Sequence, residues 1–185
     1  MMREISLNIL DVAENSLKAG ADTVEIDVAF SERENTLTVI VSDNGCGMTK
    51  EQVKNVTDPF YTTRTTRKVG LGVPLFKMAA EMSGGSFEIS SVLGKGTTLT
   101  AVFKTDSVDF VPLGDIASTV ELLCVSNPKV NIVFKEHGNN DSFTFESRKI
   151  REILGDVPME SPEVREWMRE YLTENTEKFS GGNNK

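Results

Sequence analysis

The chain has 185 residues, with 28 acidic against 20 basic side chains, and its 38% hydrophobic and 26% charged content suits one soluble domain or one domain and an appendage. A net charge of -8 argues against a general binder of nucleic acid or anionic membrane, and no apolar run reaches transmembrane length. Two cysteines and one histidine argue against a disulfide framework, a histidine metal cluster and a histidine-based triad; the start Met1-Met2-Arg3-Glu4 lacks signal-peptide features, so a cytoplasmic location is expected.

Ile5 to Ala19 reads as an amphipathic helix with Ile5, Ile9, Val12, Ala13 and Leu17 as its core stripe and Gly20 as its stop. Asn8, Asp11, Asn15 and Lys18, three or four apart, line one edge of that helix. Val24, Ile26, Val28 and Phe30 alternate, as do Leu37, Val39 and Val41, which predicts an antiparallel hairpin with one face covered by the helix. Asp43 falls on the apolar face of the second strand, just where Gly45 and Gly47 let the backbone turn. A carboxylate placed there needs hydrogen-bond partners, and a ligand with N–H donors would supply them.

Thr49 is placed to cap a short helix from Lys50 to Val56. A basic segment from Asp58 to Gly70 follows, and Arg64, Arg67 and Lys68 stand out in an acidic chain. Gly70-Leu71-Gly72-Val73-Pro74 then opens a helix through Met82, with Val73, Phe76, Met78, Ala79 and Met82 as its apolar side chains. Such a turn presents free N–H groups and the positive dipole end to an anion. Two more strands are expected at Phe87–Ile89 and Leu99–Phe103, joined through Gly94-Lys95-Gly96-Thr97-Thr98. Cys46 reads as a small apolar filler.

Beyond Thr105, Ile116, Val120 and Leu123 predict a helix ended by Asn127-Pro128. Val130, Ile132 and Phe134 pair in pattern with Phe143 and Phe145 as a hairpin, with His137 in the turn. Ser161 is the expected cap of a last helix with Val164, Trp167, Met168, Tyr171 and Leu172 as its stripe.

Asp43-Asn44-Gly45-Cys46-Gly47-Met48 resembles the first glycine box of the Bergerat-fold ATPases, the superfamily of histidine kinases, gyrase B, heat-shock-90 chaperones and mismatch-repair ATPases. Asp11 to Ala21 looks like the N box of that family, Gly70 to Val73 like its second glycine box, and Gly94 to Thr98 like its last. Pro59-Phe60-Tyr61-Thr62-Thr63-Arg64 resembles the start of the ATP lid in one group of histidine kinases. The resemblance covers about residues 1–105 and implies ATP and magnesium as cofactors. It implies that Asp43 accepts a hydrogen bond from the adenine amino group, beside Gly45, Gly47 and Met48, with Thr97 or Thr98 nearby. It implies that Asn15 coordinates Mg2+, that Lys18 contacts phosphate, and that Gly70, Leu71, Gly72 and Val73 cradle the phosphates. Thr63, Arg64, Arg67 and Lys68 would then line the triphosphate from the lid. Asp11 stands where hydrolysing members carry a glutamate general base and many histidine kinases carry asparagine; it is one methylene shorter than glutamate, which bears on its reach.

The expected architecture is α+β: a two-layer sandwich, with a mixed sheet carrying helices on one face, plus a small α/β module. The expected division is an ATP-binding domain over 1–105, an αββα-like module over 106–172 and a flexible tail over 173–185. The expected function is that of a free-standing Mg-ATP-binding domain, like a histidine kinase or an anti-sigma-factor kinase, acting on a partner protein and not on nucleic acid or membrane. The alternative is an ATPase or nucleotide sensor whose ATP state gates homodimerisation or partner binding.

Overall fold

The computed structural model describes residues 4–58 and 71–176. Six strands form one sheet in the order β3-β4-β2-β1-β5-β6. They are β1 Thr23–Ser31, β2 Thr36–Asp43, β3 Ser86–Val92, β4 Gly96–Lys104, β5 Asn131–His137 and β6 Ser142–Glu146. Every pairing is antiparallel except β1 with β5, which run parallel with Val24 opposite Ile132 and Val28 opposite Glu136. The sheet is therefore mixed, and the two C-terminal strands extend the same sheet that carries Asp43.

Alternation puts one apolar row after another on a single face: Val24, Ile26 and Val28 from β1, Leu37, Val39 and Val41 from β2, Leu99, Ala101 and Phe103 from β4, then Ile132 and Phe134 from β5. The helices α1 Ile5–Lys18, α3 Gly72–Met82, α4 Ile116–Ser126 and α6 Pro162–Thr176 bury their stripes against that face in one continuous core. The opposite face is polar, and its strands β1 and β5 are bridged there by Lys135 to Glu25 at 2.8 Å and His137 to Asp27 at 3.2 Å. His137 thus ends a strand and does not sit in the turn. Parallel pairing with β1 extends β5 past the point where the apolar alternation gives out.

Helix ends show how the halves are tied together. The first residue of α1 follows Glu4, which provides no side-chain cap. The orphan N–H groups of Ile5 and Ser6 donate instead to the backbone carbonyls of Pro112 and Leu113, at 2.9 and 2.8 Å. The predicted cap at Thr49 is present as a full capping box with Gln52, opening α2 Lys50–Val56. Ser161 is a correction: its hydroxyl is buried without a hydrogen-bond partner among the described residues, so it makes no cap bond. The sequence reading also missed α5, Ser147–Leu154, which follows β6 without a break.

The outer helices pack more narrowly than their sequence suggests. Met78 and Met82 are exposed on α3, and on α6 Val164, Met168 and Leu172 are buried whereas Trp167 and Tyr171 stack on each other at the surface. Buried Glu121 of α4 bolts α6 down through Arg165 at 2.6 Å and Arg169 at 3.3 Å. α6 continues to Thr176, whose residue is buried. No helix among the described residues is long and apolar enough to cross a membrane.

Candidate functional site

One end of the sheet brings together some of the residues singled out by sequence, with Asp43 opposite Thr97. β2 ends at Asp43 on the helix-covered side of the sheet, and α1 crosses it with Ser16 facing down. The Ser16 hydroxyl donates to Asp43 Oδ2 at 2.6 Å, and the backbone N–H of Gly45 donates to Oδ1 at 2.9 Å. One donor on each oxygen fixes the carboxylate and leaves lone pairs for a further donor, since each carboxylate oxygen accepts about two bonds. Ser16 is a site residue that sequence reading missed; it lies in the core stripe of α1, where a serine looks like small filler.

The loop after Asp43 is pinned on three sides. Asn44 Oδ1 accepts from the N–H groups of Asp22 and Thr23, at 2.9 and 3.0 Å, which holds the end of β2 to the start of β1. The Cys46 N–H donates to Ala19 O at the end of α1, and Cys46 O accepts from Gly94 N–H in the β3–β4 turn. Gly47 has φ +67° and packs so closely on the Val92 carbonyl that a Cβ has no room there. The Cys46 side chain is exposed, so it fills no core gap. Loop pinning through its backbone turns its thiol outward. Cys124 is the buried thiol, and burial pushes it up to about 12, which leaves it unreactive.

A second hydrogen-bond chain connects the first glycine box to the last. The Met48 N–H donates to Ser91 Oγ at 2.8 Å, Ser91 Oγ donates to Gly96 O at 2.9 Å, and Thr97 Oγ1 lies 2.8 Å from Ser91 Oγ. With the Ser91 proton committed to Gly96, Thr97 donates to Ser91 and keeps its own lone pairs. Thr97 stands directly across from Asp43 in the β2–β4 register. Thr98 points to the open face, 3.1 Å from Ser42. Of the two threonines, only Thr97 shares the Asp43 side of the sheet.

Along α1, Asp11 and Asn15 are half-buried and share an edge with Asn8, which is buried. α3 begins against this edge: a Cβ at Gly72 would stand 2.7 Å from the Asp11 Cβ, so only glycine admits so close an approach. Leu71 is exposed and Val73 buried beside that turn. Burial raises the Asp11 carboxyl above its ordinary value, with Glu14 adding to the effect and Lys18 opposing it. Lys18 itself is exposed in the last turn of α1, 4.0 Å from Glu14. Thr63, Arg64, Arg67, Lys68 and Gly70, expected in the lid and second glycine box, lie outside the described residues.

The donor chemistry fits the two groups that the resemblance implies. Asn15 offers a hard oxygen of the kind Mg2+ takes, and a site for that ion needs few protein ligands. Asp43 is a restrained acceptor beside a glycine-opened backbone, and α3 starts at Gly72 against Asp11 with no side-chain cap bond at Leu71.

Comparison with known proteins places the chain in a family. The family described as "Histidine kinase-, DNA gyrase B-, and HSP90-like ATPase" matches residues 2–107. The Sensor protein SrrB of Staphylococcus aureus (strain NCTC 8325 / PS 47) is 37% identical over 102 residues, which is 52% of this chain and 17% of that protein. The match thus spans less than a fifth of the length of that relative. A solved structure titled "Crystal Structure of N terminal domain of a DNA repair protein" superposes with a TM-score of 0.58 over 85% of this chain and 59% of that one, at 13% identity. At that identity the likeness is one of fold, and it reaches past β4 into the C-terminal elements.

Proposed function

The chain belongs to the histidine kinase-, DNA gyrase B- and HSP90-like ATPase family, and on that premise we propose that it binds Mg-ATP and uses it to phosphorylate or regulate a partner protein. The observation that carries the proposal is the Asp43 carboxylate, clamped by Ser16 and Gly45 with acceptor capacity to spare. An adenine amino group satisfies that acceptor, whereas guanine would turn a carbonyl oxygen toward it and be repelled. Asn15 would hold Mg2+ through its side-chain oxygen. The N–H groups at the start of α3, from Gly72 and Val73, would receive phosphate oxygens, helped by the helix dipole. Lys18 and the lid residues Thr63, Arg64, Arg67 and Lys68 belong to the same proposal, as do Gly70 and Leu71.

Bound magnesium would supply charge neutralisation on the triphosphate; the protein's share is positioning and proton handling. Transfer breaks the bond from the γ-phosphorus to its bridging oxygen and forms one to the acceptor atom. Asp11 would take the proton that the acceptor loses. Positioning and charge provide most of the catalysis in phosphoryl transfer, so an aspartate suffices where a partner presents its own nucleophile. A cytoplasmic location and a protein partner form part of this reading.

The deciding experiment is calorimetry with ATP and ADP in the presence of magnesium, followed by ADP release over hours with and without candidate acceptors. Absence of ATP binding would end the reading. Ser16→Ala should weaken ATP about three- to tenfold, roughly 1 kcal/mol, because the bond it removes orients Asp43 and does not itself touch the nucleotide, and should leave GTP binding where it was. Equal loss for both nucleotides would mean that Ser16 acts on the fold and not through Asp43.

A second reading, a nucleotide-controlled switch of partner binding or homodimerisation, has its own support. The helix that carries Asp11, Asn15 and Ser16 is held at its first turn by the carbonyls of Pro112 and Leu113, just before α4. Displacement of α1 by nucleotide would therefore be felt in α4 and, through Glu121, in α6. Slow hydrolysis with no acceptor present, stopped by Asp11→Asn, would favour it.

A further inference from the structure

Asn8 is a buried polar side chain that nothing in the fold accounts for. It is 2% exposed, and its Nδ2 has no hydrogen-bond partner among the described residues. A buried donor left unpaired costs stability, and replacement by an apolar group of the same shape removes the cost. Leucine has the same number of side-chain heavy atoms in the same branching, though it is bulkier, and would continue the core stripe of α1. Among the described residues the amide ties no loop, caps no helix and bridges no strand, so stability gives no reason for it.

Its place on the helix gives one. Asn8 lies three residues before Asp11, on the same edge, and side chains on a helix lean toward its N-terminus. The Asp11 carboxylate accordingly leans toward the level of Asn8. Gly72 of α3 closes against the Asp11 Cβ, so the aspartate has little freedom in that direction. A base one methylene shorter than glutamate depends on being held at the right reach.

We propose that Asn8 is a positioning residue for Asp11, its side-chain N–H donating to the Asp11 carboxylate in the nucleotide-bound state and holding it toward the acceptor. The proposal rests on the reading of Asp11 as the proton acceptor. It gives the unpaired donor a partner that is offered only when the site is filled, and it makes the stability cost of the empty protein a consequence of function.

The test uses Asn8→Leu, with Asn8→Ala as a second variant in case leucine overpacks. Asn8→Leu should raise the melting temperature, weaken β,γ-imido-ATP with magnesium about three- to tenfold because the bond it removes forms only in the bound state, and lower kcat about tenfold. In the wild-type protein labelled with nitrogen-15, the Asn8 side-chain amide signal should move downfield on adding the imido analogue, and Asp11→Asn should remove that movement. A merely structural asparagine predicts the opposite for the first measurement: a lower melting temperature and unaltered kcat. If the analogue binds and the Asn8 signal does not respond, or both variants keep kcat, the proposal is wrong while the nucleotide reading stands. If the analogue does not bind at all, both fall. Where the protein binds nucleotide without turning it over, the amide signal decides alone.

Discussion

Asp43→Ala is expected to lower ATP affinity by about a hundredfold. A hydrogen bond to a charged group contributes roughly 1.5–3 kcal/mol, and each 1.4 kcal/mol is about a factor of ten in binding. The truncation removes the acceptor for the adenine amino group and leaves that amino group unpaired in the cleft. It also strands the Ser16 hydroxyl and the Gly45 N–H, both of which donate to this carboxylate. Loss of those two bonds loosens the turn after β2, so Asp43→Asn is the cleaner companion variant: it keeps one oxygen and the shape. Calorimetry with Mg-ATP reads the effect, and circular dichroism checks that the fold persists. Because guanine gains nothing from Asp43, the ratio of ATP to GTP affinity should fall in both variants. Unchanged ATP affinity in Asp43→Asn would refute the assignment of the site whatever the fold.

Much of this arrangement was readable in the sequence because it depends on local periodicity. Asp43 could be placed on the covered face because side chains alternate along a strand, and the structure finds it there with its register partner Thr97. The N-cap at Thr49 is a local pattern and came out as expected, with Gln52 completing a capping box that was not foreseen. What sequence did not yield depends on contacts between distant segments. Ser16 looks like filler until α1 is laid across β2, and only then does its hydroxyl meet Asp43. Ser91 is an ordinary strand residue until Met48 and Thr97 converge on it.

The same reason explains the C-terminal half. A hairpin could be predicted from Val130 to Phe145, yet nothing local says that its first strand will run parallel to β1. Parallel neighbours are joined by long crossovers, and the pairing leaves no short-range mark. α5 escaped notice because Ser147–Leu154 follows β6 directly, with no turn signal between them. Continuity of the sheet matters for function: the elements after Lys104 share a core with the helix of the candidate site.

Glu136 shows both the limit of pattern reading and the second large expected effect. Ile132 and Phe134 announce a covered strand face, and a glutamate two residues on looks like the end of it. The strand instead continues to His137, and Glu136 lies fully buried on the helix-covered side between Val28 and Phe143. Neither carboxylate oxygen has a hydrogen-bond partner among the described residues. Desolvation raises its pKa from 4.5 to about 8, so at neutral pH the folded protein holds this carboxyl protonated while the unfolded chain would ionise it. The sign follows: the contribution to stability is fully present below pH 4.5, declines as pH rises, and is lost once pH passes about 8. Each unit of such a shift corresponds to roughly 1.4 kcal/mol, so the total is on the order of 5 kcal/mol. Glu136→Gln keeps the shape and cannot ionise. Urea unfolding between pH 5 and pH 9 should therefore show wild type and variant nearly equal at the acid end, with the variant several kcal/mol more stable at the alkaline end. Parallel curves across that range would mean that the carboxyl is ionised or paired in the folded protein. Glu136 lies toward the end of β5 whereas Asp43 stands opposite the start of β1, so ATP affinity per folded molecule should be equal in the two proteins.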